Sequence, residues 1–134
     1  MATLAGGFED PSAEVLTEAA EVFGLLASSA RLPAATWTAA DVASAFPDLP
    51  RSDLVTIAYV LDELAPDTRA TVVDHAWRVT SGLLLIIEPG TPAGWQRILA
   101  ARSQLLAAGA RLAAPCPHRH PCPLVTPDWC HFAR

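Results

Sequence analysis

What this chain has little of narrows its reading first. Only 17% of its 134 residues are charged, and the formal net charge is -5. A protein that grips phosphate backbones unaided is usually basic, so composition does not support autonomous nucleic-acid binding. Long apolar runs are missing as well. The longest, Leu83–Ile87, falls far short of the roughly twenty residues of a membrane-spanning helix. Met1–Gly7 has neither the basic start nor the apolar stretch of a secretory signal. A soluble, cytoplasmic protein with no membrane partner is expected. No G-x-G-x-x-G run is present, so the glycine-rich turn that cradles a dinucleotide is not in the chain. Internal repeats and low-complexity linkers are absent too. Cysteine is scarce: there are three, an odd number. In a reducing cytosol three clustered thiols point to metal ligation before a disulfide framework.

What is present is globular. Hydrophobic residues make up 51% of the chain, and 134 residues suffice for one domain with a core. Residues 12–29 carry apolar positions at helical spacing behind Ser12, a natural N-cap. Residues 34–38 read as a short strand and 39–46 as a helical turn. Residues 53–60 are β-branched and nearly all apolar, which suits a parallel strand covered on both faces. A helix follows from Pro66 to Thr80, with proline in its first turn. A second apolar strand spans 82–88. Thr91 caps a helix that opens with Pro92 and stops at Gly109. A last short strand is expected at 110–114. Alternating strands and helices imply an α/β domain with a parallel sheet, over residues 1–114. Ligands of such sheets sit at the carboxyl ends of the strands. Those ends are Asp41, the Tyr59–Glu63 stretch and Glu88-Pro89-Gly90.

Residues 115–134 form a separate segment. Cys116, Cys122 and Cys130 are spaced C-x5-C-x7-C, and residues 115–131 hold five of the twelve prolines and three of the four histidines. Proline fixes φ and removes a backbone donor, so this is a stiff loop and neither helix nor central strand. Three soft ligands on a rigid loop suggest a metal or an iron–sulfur cluster. The spacing leaves three readings open: a cluster, a structural zinc completed by His118, His120 or His131, or idle thiols in a proline-rich tail. Elsewhere the bland readings lead. His75 is a surface or packing residue. Trp37, Trp77, Trp95 and Trp129 are core or loop anchors. Asp62 and Glu63 are solvated acids at a helix start. Arg97, Arg102 and Arg111 are too dispersed for a nucleic-acid stripe.

Asp53-Leu-Val-Thr-Ile-Ala-Tyr-Val-Leu-Asp-Glu-Leu64, Leu85-Ile-Ile-Glu-Pro-Gly-Thr-Pro-Ala-Gly-Trp95, Pro115-Cys-Pro-His, Pro121-Cys-Pro-Leu and Trp129-Cys-His-Phe132 occur in that order. Together, from about residue 8 to the end, the chain resembles the methyltransferase-like proteins of the small ribosomal subunit. Mitochondrial members of that family are assembly factors, and bacterial members are described as ribosomal RNA methyltransferases. The resemblance implies a partial class I S-adenosylmethionine methyltransferase (Rossmann-like) parallel sheet with helices on both faces. It implies a four-cysteine [4Fe–4S] site, of which Cys116, Cys122 and Cys130 match the first three ligands. It also implies a small-subunit or ribosomal RNA partner. By the family's fold, Glu9, with Asp10 as its rival, would hold the cofactor ribose, Asp41 would read the adenine, and Tyr59 would face the methyl donor and acceptor. The chain lacks the family's first strand and glycine-rich loop, its fourth cysteine, and an Asn-Pro-Pro-Tyr motif after the central strand. The resemblance thus implies a catalytically incomplete middle piece of the domain. A non-catalytic, metal-stabilised assembly module is the alternative. A sheet missing its first strand exposes an apolar edge, so a homodimer or a partner that completes the sheet is expected.

Overall fold

A computed structural model of the protein describes residue 40, residue 42 and residues 46–130. The chain divides into two compact units, Met1–Asp48 and Leu49–Arg134. The helix expected at 12–29, the strand at 34–38 and most of the turn at 39–46 lie outside the described residues. The described helices and strands belong to the second unit.

Its elements follow in the order β1 (Ser52–Ala58), a 3-10 turn (Leu61–Glu63), α1 (Pro66–Val79), β2 (Thr80–Ile87) and α2 (Pro92–Ala107). The two strands pair in parallel, with Leu54 opposite Leu83, Thr56 opposite Leu85 and Ala58 opposite Ile87. This strand–helix–strand unit is α/β, consistent with part of a Rossmann-like fold. Both helices begin on proline, whose missing N–H costs nothing in the first turn. Thr91 caps α2 as its position foretells: Oγ1 accepts from the Gly94 N–H at 3.0 Å. Gly109 ends the helix at φ 90°, in the left-handed region that favours glycine.

α1 packs on both strands, and α2 packs on α1 and on the 3-10 turn. Ile57, Leu61, Leu64, Val72, Val73 and Trp95 are buried where these elements meet. Each such side chain contributes about 1.5–3 kcal/mol relative to an exposed one. α1 gives way to β2 without a loop. Thr80, itself buried, makes the junction: its hydroxyl donates to the Ala76 carbonyl at 2.7 Å, and its own carbonyl accepts from Arg51 Nη2 at 2.9 Å.

One expectation is corrected, at residues 110–114. Both helices among the described residues lie with the buried side of the sheet, and the helix expected at 12–29 lies outside them. The opposite face leaves Leu54 (56% exposed), Leu83, Leu85 and Ile87 open. Apolar runs fit a doubly covered strand, yet run composition says nothing about which layer is on hand to cover it. Residues 110–114 form no strand. Ala110 is buried and Leu112 half-buried, so these residues pack their side chains without entering the ladder.

Candidate functional site at the strand ends and the cysteine loop

The carboxyl ends of β1 and β2 lie side by side, joined by a bond from the Tyr59 N–H to the Ile87 carbonyl at 3.0 Å. Tyr59 leaves the strand at φ 58°, in the left-handed region that a bulky residue rarely enters. Such a conformation costs on the order of 1–3 kcal/mol and persists only where its surroundings hold it. The side chain is 62% exposed. Of the three cofactor residues that the resemblance implies, Tyr59 alone falls among the described residues; Glu9 and Asp41 lie outside them.

Arg97, on α2, holds this end of the sheet together. Its Nε donates to Glu88 Oε2 at 2.6 Å, and its Nη1 meets Asp62 Oδ1 at 2.6 Å. The Arg97 side chain is nearly buried, Glu88 is 1% exposed and Asp62 is 53% exposed. One guanidinium thus spans a buried carboxylate after β2 and a solvated one after β1. Arg69 adds a bond from Nε to the Leu61 carbonyl at 2.7 Å. Glu88 Oε1 is buried and has no hydrogen-bond partner among the described residues. In the sequence Glu88 has no assigned role, and Arg97 is one of three arginines too dispersed for a nucleic-acid stripe. Its spacing of nine residues from Glu88, across a proline–glycine turn, was the one available signal.

Gly94 shows how tightly the turn after β2 closes. A Cβ at this position would fall on the Pro89 carbonyl oxygen and lie 3.3 Å from Thr91 Oγ1. Only glycine lets the helix start so close beneath that carbonyl.

The cysteine loop folds back onto α2. Arg102 Nη2 donates to the carbonyls of His118 (2.7 Å) and His120 (2.8 Å). Arg119 reaches the other way, from Nη2 to the Leu106 carbonyl at 3.2 Å in the last turn of the helix. Trp129 Nε1 donates to the Gly90 carbonyl at 3.2 Å, making this tryptophan the loop anchor expected of it. Cys116, Cys122 and Cys130 all line one cavity of about 220 Å³, walled by Ile86 and Trp95 among others. All three are free thiols. No three His, Cys, Asp or Glu side chains among the described residues gather closely enough to hold a single metal ion. The donor set itself, soft sulfur facing an apolar wall, has the chemistry of a cluster or zinc site. No helix among the described residues is long and apolar enough to cross a membrane.

Comparison with known proteins supplies the rest. The chain is 35% identical over 92 residues to a human protein, the mitochondrial ribosome assembly protein METTL17. That match covers 61% of this chain and 20% of the human protein, so the chain spans a minor part of its relative's length. No solved structure matches. The family model described as mitochondrial small ribosomal subunit Rsm22 matches residues 12–134, nearly the whole chain. With its strand ends, its Glu-Pro-Gly turn and its proline-framed cysteines in the expected order, the chain belongs to this methyltransferase-like family of the small ribosomal subunit.

Proposed function

We propose that this chain serves small-subunit assembly as a methyltransferase-like binding module braced by a metal-bearing loop. The single observation that carries the reading is the clamped loop. Two arginines and one tryptophan tie residues 115–130 to α2 and to the turn after β2, and the three cysteines face one cavity against the sheet. A loop so attached stiffens a surface without needing chemistry at the strand ends. Residues 1–114 then form the methyltransferase-like part, and 115–134 the metal loop.

Cys116, Cys122 and Cys130 would ligate a [4Fe–4S] cluster, with zinc and one of His118, His120 or His131 as the alternative. Either group would cross-link the loop and couple its order to metal binding. S-adenosylmethionine would rest on Glu9, Asp41 and Tyr59. No G-x-G-x-x-G run lies among these 134 residues, so weak cofactor binding is expected of this stretch taken alone. The cytoplasm is the proposed location, and the small subunit with its RNA the proposed partner. The open apolar face of the two-strand sheet supports self-association or a completing partner.

Three measurements test the reading. Purified anaerobically, the protein should carry iron with matching acid-labile sulfide; zinc alone would select the histidine-completed site. Titration calorimetry with S-adenosylmethionine should show no binding at micromolar concentration; tight binding would restore the enzyme reading. Co-sedimentation with small ribosomal subunits should succeed, and its failure would remove the assembly role.

A further inference from the structure

The charges of this chain are partitioned along its length. Every aspartate and glutamate except Asp128 lies at or before Glu88. The stretch between those two acids contains Arg97, Arg102, Arg111 and Arg119 with His118 and His120, and no acid at all. Such asymmetry within an acidic chain is a signature of an anion-binding surface. Sequence spacing left these cations dispersed. The fold gathers Arg102 and Arg119 at one seam between helix and loop. Arg97 is consumed by Glu88 and Asp62, and among the described residues it makes the only ion pairs. Arg102 and Arg119 face only backbone carbonyls, which leaves their charge uncompensated. Their bonds to His118, His120 and Leu106 bring helix and loop together, so that both guanidinium groups belong to one surface. Arg111 leads into that loop and is exposed.

The geometry points to this face as a contact for the phosphate backbone of single-stranded RNA. Arginine offers a planar fork of donors suited to phosphate oxygens and keeps its charge at any physiological pH. The exposed rings of His118 and His120 lie 5.8 Å apart, tilted by 42°. Exposed aromatic rings beside a cationic groove are the usual platform for unpaired bases, whereas duplex RNA keeps its bases stacked and its readable groove too narrow. The inference deepens the assembly reading and rests on it for the identity of the partner. It locates the contact where the loop meets α2.

The test is fluorescence anisotropy of a labelled single-stranded RNA oligonucleotide with the full chain, across a salt series. R111E and R119E should each weaken binding about tenfold at low salt. Each should also flatten the slope of log K against log salt by about 0.7 for every phosphate that is no longer neutralised. R78E places the same charge change on exposed Arg78 of α1 and should leave both values unchanged. Circular dichroism of each variant verifies the fold. If R78E weakens binding as much as the other two, net charge alone is responsible and the inference falls. It falls equally if R111E and R119E bind like the unsubstituted chain. Co-sedimentation with small subunits separates the two readings. Unsubstituted chain and R111E/R119E double variant pelleting alike would overturn this inference and leave the assembly role standing. RNA binding through the patch, with no co-sedimentation, would do the reverse.

Discussion

Removing the Arg97 guanidinium should be among the most costly single changes in the second unit. Glu88 is 1% exposed, its Oε2 takes a 2.6 Å bond from Arg97, and its Oε1 has no partner among the described residues. The substitution Arg97→Met keeps the apolar stem and deletes both bonds. A buried carboxylate is then left with no compensating charge, a loss of about 3–5 kcal/mol. Asp62→Asn removes only the solvated arm, where the partner is 53% exposed, and should cost at most about 1 kcal/mol. Total stabilities run to only about 5–15 kcal/mol, so the first variant stands near unfolding. The double variant Glu88→Leu with Arg97→Met removes the buried charge together with its partner and should recover most of the loss. Urea unfolding followed by tryptophan fluorescence measures all three. With slopes of about 1–3 kcal/mol per molar, Arg97→Met should lower the midpoint by about 1 M or more. If Arg97→Met and Asp62→Asn cost the same, or if the double variant is worse than Arg97→Met, then the buried arm does not dominate and the reasoning is refuted.

Other outcomes follow from the same geometry. Gly94→Ala sets a methyl group against the Pro89 carbonyl and crowds the Thr91 cap; its melting temperature should fall further than that of Thr91→Ala, whose missing cap costs about 1 kcal/mol. Cys122→Ser should lower the iron or zinc content of anaerobically purified protein, read by elemental analysis; undiminished metal would place the site elsewhere. Leu85→Lys, on the open face of the sheet, should reduce self-association in light scattering while leaving stability within about 0.5 kcal/mol.

The sequence carried the local signals of this fold well. Proline at the first turn of both helices, Thr91 as a cap and Gly109 as a stop are chemistry confined to a few neighbouring residues, and the structure places each as read. The parallel pairing was legible from the alternation of strands and helices alone. Features that depend on residues distant in the chain were not. Arg97 looks like any surface cation until α2 is laid across the ends of β1 and β2. Arg102 and Arg119 look scattered until the loop returns to the helix. Residues 110–114 have strand composition, but a strand needs an edge to join, and composition cannot say whether one is within reach. The cysteines lie between these cases: their spacing raises the expectation of a metal site, and only the fold shows that the three thiols line one cavity.

The junction at Thr80 has a mechanical consequence. With no linker between Val79 and Thr80, any rotation of α1 about its axis is passed directly into β2. Deleting one residue from the helix would turn the following strand by one position, and a strand turned by one position presents its other side. Leu84 and Ile86 would swing outward and Leu83, Leu85 and Ile87 would face α1. Because both sides of β2 are aliphatic, the swapped arrangement would still bury hydrocarbon. The two hydrogen bonds at Thr80, one to Ala76 and one from Arg51, therefore act as an index mark that fixes which side of an otherwise ambiguous ribbon meets the core.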